Sequence, residues 1–211
     1  MQDIEYFYST HSAFAYLGSR KLHAIAAAHG RTITHRPILL APVLEAAKSP
    51  VFAGRSPEHI AYFFGREIER WSEYRNAPTL GHVPTTHRQP LELSSGLVIA
   101  ALQAGHDVNE LVHALHEGHW LRDADLSDRS TLDGIAGSVG IDPALLDQAM
   151  SDEIQAILQV NTREAADRSV FGSPTYFVDG DMFYGQDRLE MIERTLSKPF
   201  AASSWGAGEP A

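Results

Sequence analysis

Strand-forming signal is confined to the two ends of this chain, and that segregation limits the folds open to it. Ile4 to Ser9 is β-branched or aromatic at most positions, as strands are. Thr32 to Leu40 reads as a second strand, interrupted at Pro37. Between them Ser12 precedes an amphipathic run, Phe14 to His29, with Tyr16, Leu17, Leu22, Ile25 and Ala26 at helical spacing; Gly30 stops it. From Ala41 to Asp167 strand signal almost vanishes. Ser56-Pro57 opens a predicted helix to Tyr74 as N-cap and first-turn proline. Further helices are predicted over Glu92 to Ala104, Val108 to His116, Ser130 to Val139, Pro143 to Met150 and Asp152 to Arg168, with Gly105, Gly118 and Gly140 as stops. After Gly172 the strands return. Thr175 to Val178 and Asp181 to Tyr184 flank Asp179-Gly180, a strong hairpin signal. A last helix, Asp187 to Leu196, follows.

This order predicts an α/β chain. Residues 1–40 and 169–198 form one discontinuous unit, 41–168 an all-helical insertion, and the small, Gly/Ser-rich 199–211 a disordered tail.

Composition excludes several functions. The formal net charge of −10 argues against nucleic acid and against anionic membrane surfaces as partners. No segment approaches the roughly 18 consecutive apolar residues of a membrane span. Met1 to Tyr8 carries Asp3 and Glu5 and no basic cluster, so it does not read as a secretory signal. With no cysteine, the chain has no disulfide, no thiolate metal ligand and no dithiol of its own. A cytoplasmic location is the expectation.

Three segments carry a family resemblance. Ser12-Ala13-Phe14-Ala15-Tyr16-Leu17 resembles a Ser-Pro-aromatic-Ser-Tyr-Leu motif. Glu67-Ile68-Glu69-Arg70-Trp71 is similar to an acidic-Leu-x-Arg-Trp segment. Most specific are Val170-Phe171-Gly172-Ser173-Pro174-Thr175 and, past the hairpin, Gly185-Gln186-Asp187-Arg188-Leu189. They look like Phe-Gly-x-Pro-Thr followed by Gly-x-Asp-Arg-Leu. These motifs are those of the 2-hydroxychromene-2-carboxylate isomerases and kappa-class glutathione transferases, a branch of the DsbA-like thioredoxin superfamily. The sequence departs from the pattern at Ala13, where the family has Pro, and at Ile60, where many members have a glutathione-contacting Lys. The family's glutathione-contacting Asn has no clear counterpart between Leu44 and Ser56.

The resemblance implies a thioredoxin-like fold with an inserted helical domain, glutathione as cofactor, a small aromatic substrate and a homodimer. It makes Ser12 the catalytic residue, a hydroxyl at a helix N-terminus where redox relatives carry cysteine. It makes Ser173, Pro174, Asp187 and Arg188 the glutathione-binding residues: a cis Pro174 exposes the Ser173 backbone for a peptide to pair with, and Asp187 takes the γ-glutamyl amine. The implied reaction is cis-trans isomerisation of an aromatic-derived enone by reversible thiolate addition. Glutathione conjugation, as in kappa-class transferases, and a non-catalytic binding module are the alternatives. Taken without the resemblance, Ser12 also reads as an ordinary N-cap, Pro174 as a turn proline and Asp187 as a first-turn acid.

Eleven histidines invite a metal site. His113, His116 and His119 lie three apart, however, and two such steps turn about 600° around a helix, so the rings fan out. No metal is expected from them. His11, beside Ser12, reads equally as a proton shuttle or an exposed loop residue. Trp71, Tyr74 and Tyr184 read as pocket lining or, more commonly, as core.

Overall fold

The computed structural model describes residues 3–49 and 54–203. Strand β1 (Ile4–Tyr8) leads into helix α1 (Ala13–Ala28) and strand β2 (Ile33–Pro37). The hairpin strands β3 (Thr175–Val178) and β4 (Asp181–Tyr184) complete a four-stranded sheet of order β2-β1-β3-β4. β1 pairs parallel with β2 and antiparallel with β3, which pairs antiparallel with β4. Asp179 and Gly180 both have positive φ, 51° and 90°, as a tight hairpin turn requires.

Alternation along β1 builds two cores. Ile4, Tyr6 and Tyr8 face one side and join residues of α1, β3 and the helical block. Phe7 faces the other, against Ile38, Val43, Ala165 and Phe177. Tyr6 stacks on Tyr176 of the neighbouring strand at 5.2 Å, a cross-strand aromatic pair of the kind that holds sheets together.

The second strand ends earlier than its sequence suggests. After Pro37 the N–H of Ile38 still donates to Tyr8 O, at 2.9 Å, but Leu39 N then turns to Thr162 Oγ1. The chain continues as helix α2 (Leu40–Ala46), with Val43 buried. Next comes one helical run in three parts: α3 (Pro57–Ala61), a π-helical stretch Tyr62–Arg66, and α4 (Glu67–Arg75). Ser56 caps it, accepting from His59 N.

Helices α5 (Glu92–Gln103), α6 (Asn109–Arg122), α7 (Arg129–Ser138), α8 (Leu146–Ala149) and α9 (Asp152–Asp167) fill the block before β3. Gly118 does not stop α6, contrary to the sequence reading. A Cβ there would lie 3.1 Å from Ile135 Cδ1 of α7, so its lack of a side chain serves close packing. The left-handed Asp123 (φ 56°) ends α6 instead.

A 3-10 turn, Gln186–Arg188, precedes α10 (Leu189–Ser197), so Asp187 sits in that turn and not at the cap of a regular helix. Of the expected disordered tail, residues 204–211 lie outside the described residues; Phe200 packs under the Arg194 guanidinium at 3.7 Å. Among the described residues no helix is long and apolar enough to cross a membrane.

Candidate active site

Ser12 sits where the chain leaves β1 and enters α1. Its backbone is extended (φ −74°, ψ 119°), and its Oγ accepts from Ala15 N at 3.2 Å, so it is the N-cap of α1. The same hydroxyl donates to Ser173 O at 3.1 Å. Ser173 Oγ in turn accepts from Ser9 N at 3.0 Å. Two hydrogen bonds thus stitch the start of α1 to the segment before β3, over more than 160 residues of sequence. The Ser173–Pro174 bond is cis, as the resemblance implies.

Ser173 also lines a cavity of ≈ 160 Å³, whose walls include Asp187, Arg188, Gly185 and Gln186 on one side. Phe14, Phe63, Trp71, Glu67 and Tyr184 form the rest. Gly172 lets Tyr184 lie across the loop, since a Cβ there would come within 2.3 Å of the Tyr184 ring. Gly185 turns the chain at φ 98° into the wall, its N–H held by Pro174 O at 2.9 Å. Arg75 of α4 braces that wall from behind, donating to Gln186 Oε1, to Gln186 O and to both carboxylate oxygens of Glu190. Asp187 and Arg188 pair with each other at 2.6 Å and remain partly exposed.

Ser12 borders a second, smaller hollow of ≈ 90 Å³, together with His11, Phe64, His87 and Trp120. The sequence-predicted residues therefore divide. Ser173, Asp187 and Arg188 share the larger cavity; Ser12 touches it through Ser173, and Pro174 is buried behind. Trp71 and Tyr184 line the cavity, whereas Tyr74 is 72% exposed and lies outside it. Ala13, in the family's proline position, is buried in a cluster with Tyr16, Leu17, Ile68 and Trp120.

His11 is not an exposed loop residue. Only 5% of its surface is accessible, and burial, reinforced by His119 and His87, pushes its pKa down to about 3. A ring so hard to protonate is a poor proton carrier near neutrality. The α6 histidines point to different partners: His113 to Ser19, His116 to Ser9 O, and His119 to Ala124 O and His87. Sequence reasoning missed His87, His119 and Arg75 as neighbours of the site, and met Glu67 only as part of a family motif. No local pattern signals His87, His119 or Arg75, because each arrives through packing of the helical block.

The DSBA-like thioredoxin domain profile matches residues 3–197. The chain belongs to the DsbA-like thioredoxin family. Among curated relatives, a 2-hydroxychromene-2-carboxylate isomerase of Sphingobium xenophagum is 30% identical over 195 residues, covering 92% of this chain and 97% of that one. A protein of the same name from Pseudomonas putida is 24% identical, covering 92% and 94%. Among solved structures, a 2-hydroxychromene-2-carboxylate isomerase superposes with a TM-score of 0.79 at 22% identity, over 93% of this chain and 95% of that one. The cytosolic disulfide reductase DsbM of Pseudomonas aeruginosa, solved with GSH, superposes with a TM-score of 0.63 at 15% identity, over 93% of both chains. These likenesses bear out the DsbA-like fold, a sheet from the two chain ends with helices inserted between them.

Proposed function

We propose that this protein is a glutathione-dependent isomerase acting on 2-hydroxychromene-2-carboxylate or a closely related aromatic-derived enone. The observation that carries the reading is the Ser12 hydroxyl at the N-cap of α1, hydrogen-bonded to Ser173 beside a cavity with charged walls. The names of the relatives support the same activity.

The cavity lining fits a tripeptide with one amine and two carboxylates. Arg188 offers a guanidinium and Asp187 a carboxylate on one wall, and Glu67 a second carboxylate among apolar Phe14, Phe63 and Trp71. On this reading Ser173 and Pro174 hold the peptide backbone, Asp187 the γ-glutamyl amine and Arg188 a carboxylate. Bound glutathione would supply a thiolate able to add reversibly to a conjugated double bond, which becomes a single bond free to rotate.

The chain's own part is electrostatic. The first N–H groups of α1 lack intrahelical acceptors and carry about half a positive charge between them. An anion placed before that helix is favoured, just as a cysteine thiolate is at such positions. When the sulfur binds, the Ser12 hydroxyl turns its one proton from Ser173 O to the thiolate and becomes a directed donor. A hydrogen bond to a charged acceptor is worth about 1.5–3 kcal/mol, or one to two pKa units of the thiol. The apolar rings keep water from the reacting double bond, and the backbone N–H groups at the start of α1 are fixed donors that need no reorganisation as charge develops. A homodimer working in the cytosol, where glutathione is largely reduced, completes the reading.

The test is an ultraviolet assay of 2-hydroxychromene-2-carboxylate turnover with and without glutathione, with the thiol recovered and quantified. Turnover that requires glutathione and returns all of it supports the proposal. Consumption of the thiol would make the protein a transferase. No turnover and no heat of glutathione binding would make it a binding module.

A further inference from the structure

Three histidines from three separate elements meet beside Ser12. His11 comes from the β1–α1 connection, His87 from the loop before α5 and His119 from the last turn of α6. The rings lie nearly parallel, with centroids 4.1 Å apart for His11 and His119 and 5.3 Å for His87 and His119. One nitrogen of each falls within 4.8 Å of the others.

Hydrogen bonds fix which nitrogens carry lone pairs. His11 Nδ1 faces the His87 carbonyl at 3.2 Å, and His119 Nδ1 faces the Ala124 carbonyl at 3.1 Å. A carbonyl only accepts, so both Nδ1 atoms are the protonated ones and both Nε2 atoms are bare. His87 Nδ1, 3.0 Å from the bare His119 Nε2, is therefore protonated and donates to it, a hydrogen bond that an incoming ion replaces. His11 Nε2 is buried and has no hydrogen-bond partner among the described residues, an expensive state for a polar atom. A metal-bound imidazole usually donates its other N–H to a carbonyl or carboxylate, which sets its tautomer and orientation. His11 and His119 already do so.

The scaffold around the three rings is tied down independently of them. Thr85 N and Thr85 Oγ1 both donate to the Asp123 carboxylate, at 2.7 and 2.9 Å, fixing the His87 loop to the end of α6. Trp120 Nε1 donates to His11 O at 2.8 Å. Asp123 and Asp125 lend negative potential from one side, and Arg88 opposes it near His87.

We propose that His11, His87 and His119 form a binding site for a divalent first-row transition ion, with zinc the reference ion. Zinc–imidazole bonds of about 2.0–2.1 Å place tetrahedral ligand nitrogens about 3.4 Å apart with the ion in the plane of each ring, so the widest pair closes by at most about 1.4 Å and the stacked rings turn out of parallel as the ion enters. Imidazole suits zinc, copper and nickel, and a ligand set with no oxygen donor disfavours calcium and magnesium. His11 and His87 also line the hollow that Ser12 borders, so the remaining coordination position opens toward solvent there. The sequence reading expected no metal because it considered only the spacing within α6; this site takes a single ligand from that helix.

The site is independent of the proposed isomerase activity, and its test needs no substrate. Untagged, metal-free protein is titrated with zinc against a chromophoric chelator, and with cobalt(II) to read its ligand-field absorption. The expected result is one ion per chain, a tetrahedral or five-coordinate cobalt spectrum and a rise in melting temperature with zinc. His87→Gln, at the most exposed of the three positions, should weaken zinc at least tenfold while leaving the far-ultraviolet circular dichroism unchanged. His106→Gln, on another face, should leave binding as it was. Failure of the wild-type protein to bind, or equal binding by His87→Gln, would overturn the proposal.

Discussion

Arg75 of α4 holds Glu190 of α10 through both terminal nitrogens, at 2.6 and 3.2 Å, while its Nε and Nη2 hold Gln186 between them. Its side chain is only 8% exposed, whereas Glu190 is 49% exposed. One buried guanidinium therefore ties the helical block to the turn that forms the cavity wall. Removing it leaves Gln186 Oε1 and the Gln186 carbonyl short of a donor. Arg75→Met should cost about 1–3 kcal/mol of stability. It should also weaken glutathione binding, because Asp187 and Arg188 ride on the same turn. Urea denaturation and calorimetry with glutathione measure the two effects; a loss of stability with unchanged affinity would detach the brace from the site.

Gly172 and Tyr184 give a steric prediction. A Cβ at Gly172 would lie 2.3 Å from Tyr184 Cε2 and 2.7 Å from its Oη. Gly172→Ala must push the ring off the loop, at a cost of about 1–3 kcal/mol. Adding Tyr184→Ala removes the obstacle, so the double variant should recover most of that cost in a double-mutant cycle. Additive losses would show that the close approach is not what requires glycine.

Asp187 separates binding from stability. Its ion pair with Arg188 is exposed, and such pairs contribute about 0–1 kcal/mol. Asp187→Asn should hardly move the unfolding midpoint. If the carboxylate takes the γ-glutamyl amine, the same change should weaken glutathione about tenfold, the worth of one charge-assisted hydrogen bond. Equal affinity for both proteins in a titration would remove Asp187 from the binding site.

Buried histidines set the acid limit of the fold. Burial pushes His35 down to about 4 and His116 down to about 3, from 6.5 in an open chain. Below pH 6.5 the unfolded chain takes up protons that the folded chain refuses, so stability falls as pH falls. Each of the two costs about 1.4 kcal/mol per pH unit until its folded pKa is reached, and neither contributes above 6.5. Urea midpoints should be level between about pH 7 and 8 and drop steeply below 6.5. His35→Asn should make the drop shallower. A midpoint that stayed level to pH 5 would contradict the burial of these rings.

What the sequence made legible follows from the range of the interactions. The hairpin read correctly because Asp179-Gly180 encodes its turn locally, and α1 because Ser12 and Gly30 bracket an amphipathic run. Gly118 misled because a glycine in a helix looks the same whether it ends the helix or admits Ile135 of another. The end of β2 misled because Thr162, more than 120 residues away, draws off the N–H of Leu39. Ser12, Ser173, Asp187 and Arg188 could be named from their motifs. The approach of His87 and His119 to His11 could not, since only the packing of α6 and the Thr85–Asp123 tie create it.

On the proposed reading, the start of α1 and the Ser12 hydroxyl stabilise a thiolate that the protein does not itself possess. The thiol pKa of bound glutathione, titrated through its thiolate absorbance in wild type and Ser12→Ala, measures this most directly. Loss of the N-cap should cost about 1 kcal/mol of stability, so both proteins are compared under conditions where each is folded. In the wild type the bound thiol pKa should lie below that of free glutathione. In the variant it should return upward by about one to two units, with turnover falling about ten- to hundredfold. A bound thiol that titrates identically in both proteins would contradict it.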